Sequence, residues 1–285
     1  MSIINKHGKS IEISCEVFPP KKDLSISGIY ETLDSIKLLE PDFISVTYGA
    51  GGSNSKKTSE IASYIQNSCN INSLAHLTAV GVTPEKLHDL LNEYKSNGIK
   101  RILALRGDKP RDMSDEDFAN RHYKHASDII SEIFEFGGFH IYGACYPEKH
   151  PEAASLEEDI LYIKKKVDLG VSGLITQMFF DNEKLYHYID MLDKAGVHVA
   201  IHAGIMPITA ANQLGTSVSL SGSSIPTALS NLIAEHSEDP ESMKQAGIEY
   251  AIKQIEDLID HGIDGIHLYS MNKADVTRQI IEAVR

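Results

Sequence analysis

The chain contains no tryptophan, only three cysteines and no long apolar run. Cys15, Cys69 and Cys145 are odd in number and far apart, which argues against a disulfide framework and against the paired spacing of a zinc site. The N-terminal MSIINKHGKS lacks the apolar core of a signal peptide, and no apolar run approaches the ~20 residues that cross a bilayer. These absences predict a cytoplasmic protein in a reducing environment.

Basic residues are in the minority, at 27 against 40 acidic residues, which gives a net charge of −13. Because an acidic surface repels phosphate backbones and anionic lipids, we expect no nucleic-acid partner and no membrane partner. Neither a GxGxxG nor a Walker A stretch occurs, so the sequence lacks two common nucleotide-binding loops.

Eight apolar, β-branched runs alternate with amphipathic helical stretches, at 11–18, 43–49, 72–80, 101–108, 140–148, 173–180, 198–207 and 265–271. Thr83 before Pro84 predicts the start of one of these helices. This alternation predicts an α/β fold with parallel strands, and eight strands favour a (β/α)8 TIM barrel over an open doubly wound sheet. Without a Pro/Ser-rich linker, we expect one barrel domain over 1–285. The long stretch 208–264 predicts an elaborated loop, including 209–226, and an extra helix after strand 7.

A glutamate stands near the end of the first predicted strand, in SCEVFPP (14–20). Strand interiors disfavour glutamate, and a carboxylate is seldom buried without a partner. Alternation places Glu12, Ser14, Glu16 and Phe18 toward the barrel interior. Glu16 is therefore expected at the C-terminal rim, where such barrels carry catalytic groups. The alternative interpretation is a structural salt bridge with Arg106.

Polar residues recur at the ends of several other predicted strands. Alternation in the fourth strand predicts an inner side made of Ile102, Ala104, Arg106 and Asp108. Thr47, His76 and Gln177 stand near three further strand ends, where a filled core alone would favour Val, Ile and Leu. Each also has a structural interpretation: Asp108 as a helix cap, His76 as a core histidine, and Thr47 and Gln177 as partners of backbone groups.

Three lysines in a row, in IKKKVDLG (163–170), follow the loop YPEKHPEA (146–153). Such a run is either a solvated helix face or a receptor for a phosphate or pyrophosphate, which lysine binds as a point charge. His76, His150 and His202 lack a close ligand spacing such as HxH, so we expect no metal site.

Taken together, these stretches resemble the methylenetetrahydrofolate reductase family. The shared segments occur in family order from about residue 11 to 207: CEVFPPK, DFISVTYGAGG, AHLTAVG, LALRGD, YPEKHPEA, KKKVDLGVSGLITQMFFD and HAGIMPI, with a fainter match at HLYSMNKAD. The resemblance implies a TIM barrel that holds FAD non-covalently. It also implies reduction of 5,10-methylenetetrahydrofolate to 5-methyltetrahydrofolate, with NADH or NADPH as the electron donor.

The resemblance implies roles for individual residues. Glu16 matches the acid whose proton opens the imidazolidine ring of the substrate, and enclosure beside Phe18 would raise its pKa for that task. Asp108 matches the aspartate that contacts the pterin, and Gln177 matches the glutamine that hydrogen-bonds the folate. The positions that match flavin contacts are Thr47, His76, Arg106, Gly107, Asp108, Tyr146, His150, Ala153, Asp159, Lys165 and Lys166.

One position departs from the family pattern, and two other functions stay open. Lys273 stands where the family can carry an arginine facing the folate tail, so the charge is kept but the bidentate fork is lost. The first alternative is the same flavin barrel reduced by a redox partner protein. The second is a folate- or flavin-binding barrel without turnover, although binding alone does not require an inward-facing acid. Members of the family are commonly homo-oligomers, so we expect a homo-oligomer here.

Overall fold

A computed structural model of the chain describes residues 3–20, 25–49 and 55–285. Nine strands follow one another in a single sheet, and an additional pairing of the second with the ninth closes it. Eight parallel strands with alternating helices form a (β/α)8 TIM barrel, which confirms the predicted fold class. Residues 50–52, the end of the TYGAGG segment, lie outside the described residues.

The strands are β1 Ile3–Ile4, β2 Ser10–Val17, β3 Phe43–Val46, β4 Asn72–Thr78, β5 Arg101–Leu105, β6 His140–Cys145, β7 Val171–Thr176, β8 Ala200–Ile205 and β9 Gly265–Tyr269. The two-residue β1 pairs antiparallel with β2. The eight strands that the sequence predicts are therefore β2 to β9.

The helices are α1 Ser27–Lys37, α2 Ser55–Asn67, α3 Pro84–Ser96, α4 Asp115–Asn120, α5 Ala126–Phe136, α6 Leu156–Asp168, α7 Asn182–Lys194, α8 Ala211–Ser221, α9 Thr227–His236, α10 Pro240–Asp260 and α11 Ala274–Val284. The predicted start of α3 is confirmed, because the Thr83 side chain accepts a hydrogen bond from the Lys86 backbone N–H and Pro84 is the first helical residue. In the part of the chain that the structure describes, no helix is long and apolar enough to cross a membrane.

The chain divides into two compact units, each described separately below. Unit 1 comprises Met1–Ile13, Cys145–Lys164 and Leu174–Arg285. Unit 2 comprises Ser14–Ala144 and Lys165–Gly173. The expectation of one catalytic domain over residues 1–285 stays a prediction.

Parallel pairing in unit 2 shows which side chains share a face with Glu16. Glu16 is in register with Ser45, and Ser45 is in register with Leu74. Because successive side chains of a strand alternate between faces, His76, two residues beyond Leu74, lies on that face as well. The strand alternation predicted for Glu16 therefore agrees with the observed register, which places His76 on the same face.

The prediction of which side chains of the fourth barrel strand, β5, face the barrel interior is wrong. Leu103 of β5 is in register with His76, so Leu103 lies on the face of Glu16, whereas Ile102 and Ala104 lie on the opposite face and are fully buried. The prediction continued the alternation into RGD, but β5 ends at Leu105. Beyond that residue, strand alternation no longer assigns a face to Arg106.

In unit 1 the connection after β8 contains three helices, α8 to α10, so the expected extra helix is present. The expectation of a loop over 209–226 is wrong for Ala211–Ser221, which forms α8. A buried apolar cluster lies beneath these helices and consists of Met178, Phe180, Met206, Ile208, Leu229 and Met243. Leu214 and Val218 of α8 pack against this cluster, which attaches the helix to unit 1.

Candidate active site

Glu16 is the penultimate residue of β2 and contacts a histidine. Its Oε2 lies 3.4 Å from Nε2 of His76, and the two side chains are 19% and 6% exposed, respectively. The contact reaches from β2 to β4 across the intervening strand β3. Phe18, just beyond the strand, is exposed. Glu16 is therefore a largely buried carboxyl group at a strand end, with an imidazole as its neighbour.

Thr47 and the RGD segment directly follow two strands of unit 2, β3 and β5, respectively. The Thr47 backbone N–H donates to the carbonyl of Val17 at 3.1 Å, and the Thr47 carbonyl accepts a hydrogen bond from Thr58 Oγ1 at 2.8 Å. The Arg106 carbonyl accepts from the Val80 N–H at 2.9 Å. Both positions therefore keep a backbone hydrogen bond to a neighbouring segment, one residue beyond the assigned strands.

Gly107 turns the chain away from the sheet, and only glycine fits there without strain. Its φ is +82°, and a Cβ atom would lie 2.8 Å from the Cβ of Thr78. This turn presents the next residue, Asp108, in an exposed position. The glycine is thus required by the turn itself, whether or not a cofactor lies against it.

The three lysines of α6 lie near the C-terminal end of the helix, and two of them belong to unit 2. The half-buried Lys166 donates from Nζ to the carbonyl of Ala144 in β6 at 2.6 Å, whereas Lys165 is exposed. Helical side chains tilt toward the N-terminus of their helix, which explains how Lys166 reaches back along β6. The run is therefore not simply a solvated face.

In unit 1 the loop after β6 is folded onto its own polar groups. The Tyr146 and His150 rings meet edge to face, with centroids 4.7 Å apart. The His150 N–H donates to Oδ2 of the buried Asp159 at 3.0 Å, and the Ala153 N–H donates to the His150 carbonyl at 3.0 Å. The structure thus brings together four of the residues predicted to contact the cofactor.

Gln177 and Lys273 also lie in unit 1, one residue past β7 and just before α11, respectively. The Gln177 N–H donates to the carbonyl of Cys145 at 2.7 Å, and its Oε1 accepts from the Met178 N–H at 2.9 Å. Lys273 donates from Nζ to Thr209 Oγ1 at 2.9 Å.

Sequence reasoning missed Thr209 and the residue that holds it, Gln213. Oε1 of Gln213 accepts a hydrogen bond from the Thr209 N–H at 3.2 Å. Both residues lie in the segment that the sequence analysis treated as a loop. The available signal was the four-residue spacing of Thr209 and Gln213 in TAANQ. This spacing allows a side chain in the first helical turn to reach back to a backbone N–H that precedes the helix.

Among the described residues, no group of three or more His, Cys, Asp or Glu side chains is arranged to hold a metal ion. In unit 2 the polar groups described above are a carboxyl–imidazole pair, backbone amides and cationic side chains. Glu16, Thr47 and Arg106 lie at or just beyond the C-terminal ends of their strands, where TIM-barrel enzymes carry their catalytic groups, whereas Lys165 and Lys166 lie in α6.

Comparison with known proteins identifies which family of barrel enzymes this is. The family model described as "Methylenetetrahydrofolate reductase" matches residues 2–285, and the chain belongs to that family, whose members are oxidoreductases. It is 33% identical over 270 residues to the 5,10-methylenetetrahydrofolate reductase of Escherichia coli (strain K12), covering 95% of this chain and 89% of that protein. It is 34% identical over 271 residues to the enzyme of that name from Buchnera aphidicola subsp. Acyrthosiphon pisum, covering 95% and 91%.

Two solved structures share the fold at low sequence identity. One is an uncharacterized protein from Clostridium thermocellum that binds two copies of 5-methyl-5,6,7,8-tetrahydrofolic acid, with a TM-score of 0.64, 17% identity and coverage of 97% of this chain and 94% of that one. The other is a dihydropteroate synthase from Coxiella burnetii in complex with pteroic acid, with a TM-score of 0.52, 10% identity and coverage of 99% and 97%. At these identities the likeness concerns the fold alone.

Proposed function

We propose that this protein is a flavin-dependent reductase that converts 5,10-methylenetetrahydrofolate to 5-methyltetrahydrofolate, with NADH or NADPH as the electron donor. The observation that carries the proposal is the family match over residues 2–285. The largely buried carboxyl of Glu16 at the end of β2 supports it, because the reaction needs a proton donor. No observation favours a binding barrel without turnover or a barrel fed by a redox partner.

The residues of unit 2 have the chemistry that FAD needs. Its pyrophosphate carries two negative charges, and unit 2 supplies three cationic side chains, Arg106, Lys165 and Lys166, at positions that match flavin contacts. Thr47 and His76 add a hydroxyl and an imidazole. In unit 1 the pre-folded loop with Tyr146, His150, Ala153 and Asp159 would contribute further contacts. When bound and reduced, FAD supplies the hydride that the methylene carbon of the folate receives.

The protein's own part in this proposal is to bind, orient and protonate. Glu16 would donate its proton to the imidazolidine ring of the substrate, so that the ring opens to an iminium and the carboxylate remains on the protein. Asp108 would contact the pterin, and Gln177 would hydrogen-bond the folate. The exposed Lys273 would attract the anionic tail as a point charge, without the paired donors of an arginine. Residues 1–285 would act as one catalytic domain, and the cytoplasmic location and the homo-oligomer remain predictions.

The test is spectroscopic and uses the purified protein. Absorption bands near about 380 and 450 nm, from bound or added FAD, are expected. Under anaerobic conditions NADH or NADPH should bleach the longer-wavelength band, and 5,10-methylenetetrahydrofolate should restore it with formation of 5-methyltetrahydrofolate.

Each alternative has its own outcome in this experiment. A colourless protein that takes up no FAD contradicts the proposal. Flavin that neither nicotinamide reduces, but that reduces folate after dithionite treatment, indicates a redox partner as donor. Flavin that the nicotinamide reduces and folate does not reoxidise indicates a binding barrel.

A further inference from the structure

The Glu16–His76 contact has a geometry that the proposed proton donation can use. The two residues lie on one face of the sheet and reach toward each other across β3. The distance of 3.4 Å between Glu16 Oε2 and His76 Nε2 exceeds the 2.7–3.2 Å of a well-formed N–H···O hydrogen bond. The two atoms are therefore in contact at a distance longer than that of a well-formed hydrogen bond, and the attraction between them would be stronger if the carboxyl were ionised.

We propose that His76 is a positioning residue for Glu16, which holds the carboxyl group in place and stabilises the carboxylate that remains after its proton has left. The inference rests on the proposed function, because it assigns His76 a part in the proton donation. It differs from the flavin contact that the family resemblance implies for this position. In this inference His76 acts on the folate step through Glu16.

The physical reason is that a hydrogen bond to an ionised acceptor is stronger than one to its neutral form. A neutral imidazole with hydrogen on Nε2 donates weakly to the carboxylic acid and about twice as strongly to the carboxylate. The contact therefore stabilises the proton-transfer transition state more than the ground state, and only such an interaction accelerates the step. In the proton transfer the O–H bond of Glu16 breaks and an N–H bond forms on the folate ring. His76 keeps its own proton.

The burial of the ring supports the neutral form in this role. The His76 side chain is 6% exposed, and a charge enclosed to that degree is costly unless it is fully paired. A permanently charged imidazolium would also hold Glu16 ionised before substrate arrives, which would remove the proton that the reaction needs. A neutral donor avoids this conflict.

The experiment measures two half-reactions separately, per bound flavin, in His76→Ala and His76→Gln. His76→Ala should slow flavin reoxidation by 5,10-methylenetetrahydrofolate about 10- to 100-fold, the range for a hydrogen bond to a charged group. The Gln amide places an N–H donor near the position of Nε2, so His76→Gln should recover most of that loss. In His76→Ala the loss in flavin reoxidation by folate should exceed any loss in flavin reduction by the nicotinamide at least about tenfold, because the nicotinamide step reports the flavin contact proposed for this position and needs no proton from Glu16.

A double-mutant cycle separates action through Glu16 from action on the flavin. If His76 works through Glu16, Glu16→Gln and Glu16→Gln/His76→Ala reoxidise at the same slow rate, because the second change removes an interaction already lost. Additive losses, an equal loss in both half-reactions, or a His76→Ala variant with wild-type folate rate would overturn the inference. His202→Ala is the matched control: it removes another buried histidine that contacts a β2 glutamate, and it should leave the folate rate per bound flavin unchanged.

A second readout needs no turnover. In ¹⁵N-histidine NMR spectra of the wild-type protein, the His76 ring should be neutral with hydrogen on Nε2, and Glu16→Gln should shift that resonance. A ring protonated on both nitrogens, or one insensitive to Glu16→Gln, contradicts the inference even if the variants fold poorly. Failure of the proposed function is recognised differently, because the wild-type flavoprotein itself would then not be reoxidised by folate.

Discussion

Strand β2 carries two glutamates, four residues apart, that each contact a histidine on another strand. Glu16 reaches across β3 to His76 of β4 at 3.4 Å, and Glu12 reaches to His202 of β8, with Oε2 and Nε2 2.8 Å apart. The first pair lies in unit 2 and the second in unit 1. In both pairs the histidine is almost fully buried, at 6% for His76 and 2% for His202.

The two pairs differ in distance and in the exposure of the carboxyl group. The Glu12 side chain is 44% exposed and makes a short hydrogen bond, so its charge is solvated as well as paired. The Glu16 side chain is 19% exposed and makes a long contact. The first arrangement suits stability, because a solvated carboxylate and a good hydrogen bond hold two strands together. The second suits the proton donation proposed for Glu16, because its carboxyl lies at a strand end beside an imidazole and is largely shielded from solvent. Under the proposed function, the same two residue types would thus serve different purposes in the two pairs.

The sharpest test of this comparison makes the same substitution at both glutamates. Glu16→Gln should lower folate reduction at least about 100-fold, the usual contribution of a general acid, while the flavin stays bound and reducible by the nicotinamide. Glu12→Gln should leave the folate rate unchanged and lower the free energy of unfolding by about 1 kcal/mol. Stopped-flow absorbance and urea denaturation measure the two effects. A Glu16→Gln variant with normal folate turnover would remove this residue from the mechanism.

The next largest effect concerns the space that His202 occupies. A Cβ atom on Gly265, the first residue of β9, would lie 2.2 Å from Cδ2 of His202. Gly265→Ala should therefore force the ring from its place and cost about 1–3 kcal/mol of unfolding free energy. In a His202→Ala background the same change should cost less, because the ring is gone and the two effects are coupled. If Gly265→Ala lowers the free energy of unfolding equally in both backgrounds, measured by urea denaturation, the close approach of the His202 ring is not the cause of the loss.

Local patterns were sufficient to predict the fold class and the position of Glu16. Strand-like and helix-like periods alternate along the whole chain, and each strand needs only its own residues to show a period of two. The placement of Glu16 on the inner face follows from the same rule within β2. The rule failed in β5, where it was continued past Leu105 into a turn that Gly107 bends with a positive φ. Periodicity holds only as far as the strand does.

Two features that the sequence did not reveal, helix α8 and the neighbour of Glu16, depend on contacts between distant parts of the chain. Helix α8 contains Gly215 and three serines, which lowers its intrinsic helix propensity, yet Leu214 and Val218 share one face and pack on the apolar cluster of unit 1. The sequence likewise did not reveal that His76 lies beside Glu16. That contact depends on the stagger between β2 and β4, which no single segment contains.

The smallest expected effect on stability concerns a carboxylate–histidine pair in which both side chains are exposed. His261 Nδ1 lies 3.3 Å from Asp257 Oδ1 on α10, and the side chains are 54% and 46% exposed. Burial acts to raise the pKa of Asp257, but hydrogen bonds from Tyr186 and Asn182 and the charge of His261 outweigh it and hold this pKa below its usual value. A depressed pKa means that the carboxylate stabilises the fold above its unfolded-state pKa of about 3.9, and that this contribution is lost as the pH falls through the lower folded value.

Tyr186→Phe removes the hydroxyl that donates to Asp257 Oδ2 at 2.6 Å. The free energy of unfolding should fall by about 0.5–1 kcal/mol at neutral pH, a modest loss because the pair is solvated, and by less once the pH falls below the depressed pKa of Asp257 in the folded protein, where the carboxylate is neutralised. Tyr250→Phe is the matched control, because its hydroxyl donates to the uncharged carbonyl of Phe180 at 2.8 Å. Its cost, measured by urea denaturation, should not depend on pH over this range. If both variants lose the same stability at every pH, the charge of Asp257 does not strengthen the hydrogen bond from Tyr186. Solvent screening at this exposed position would then make the bond equivalent to one between neutral groups.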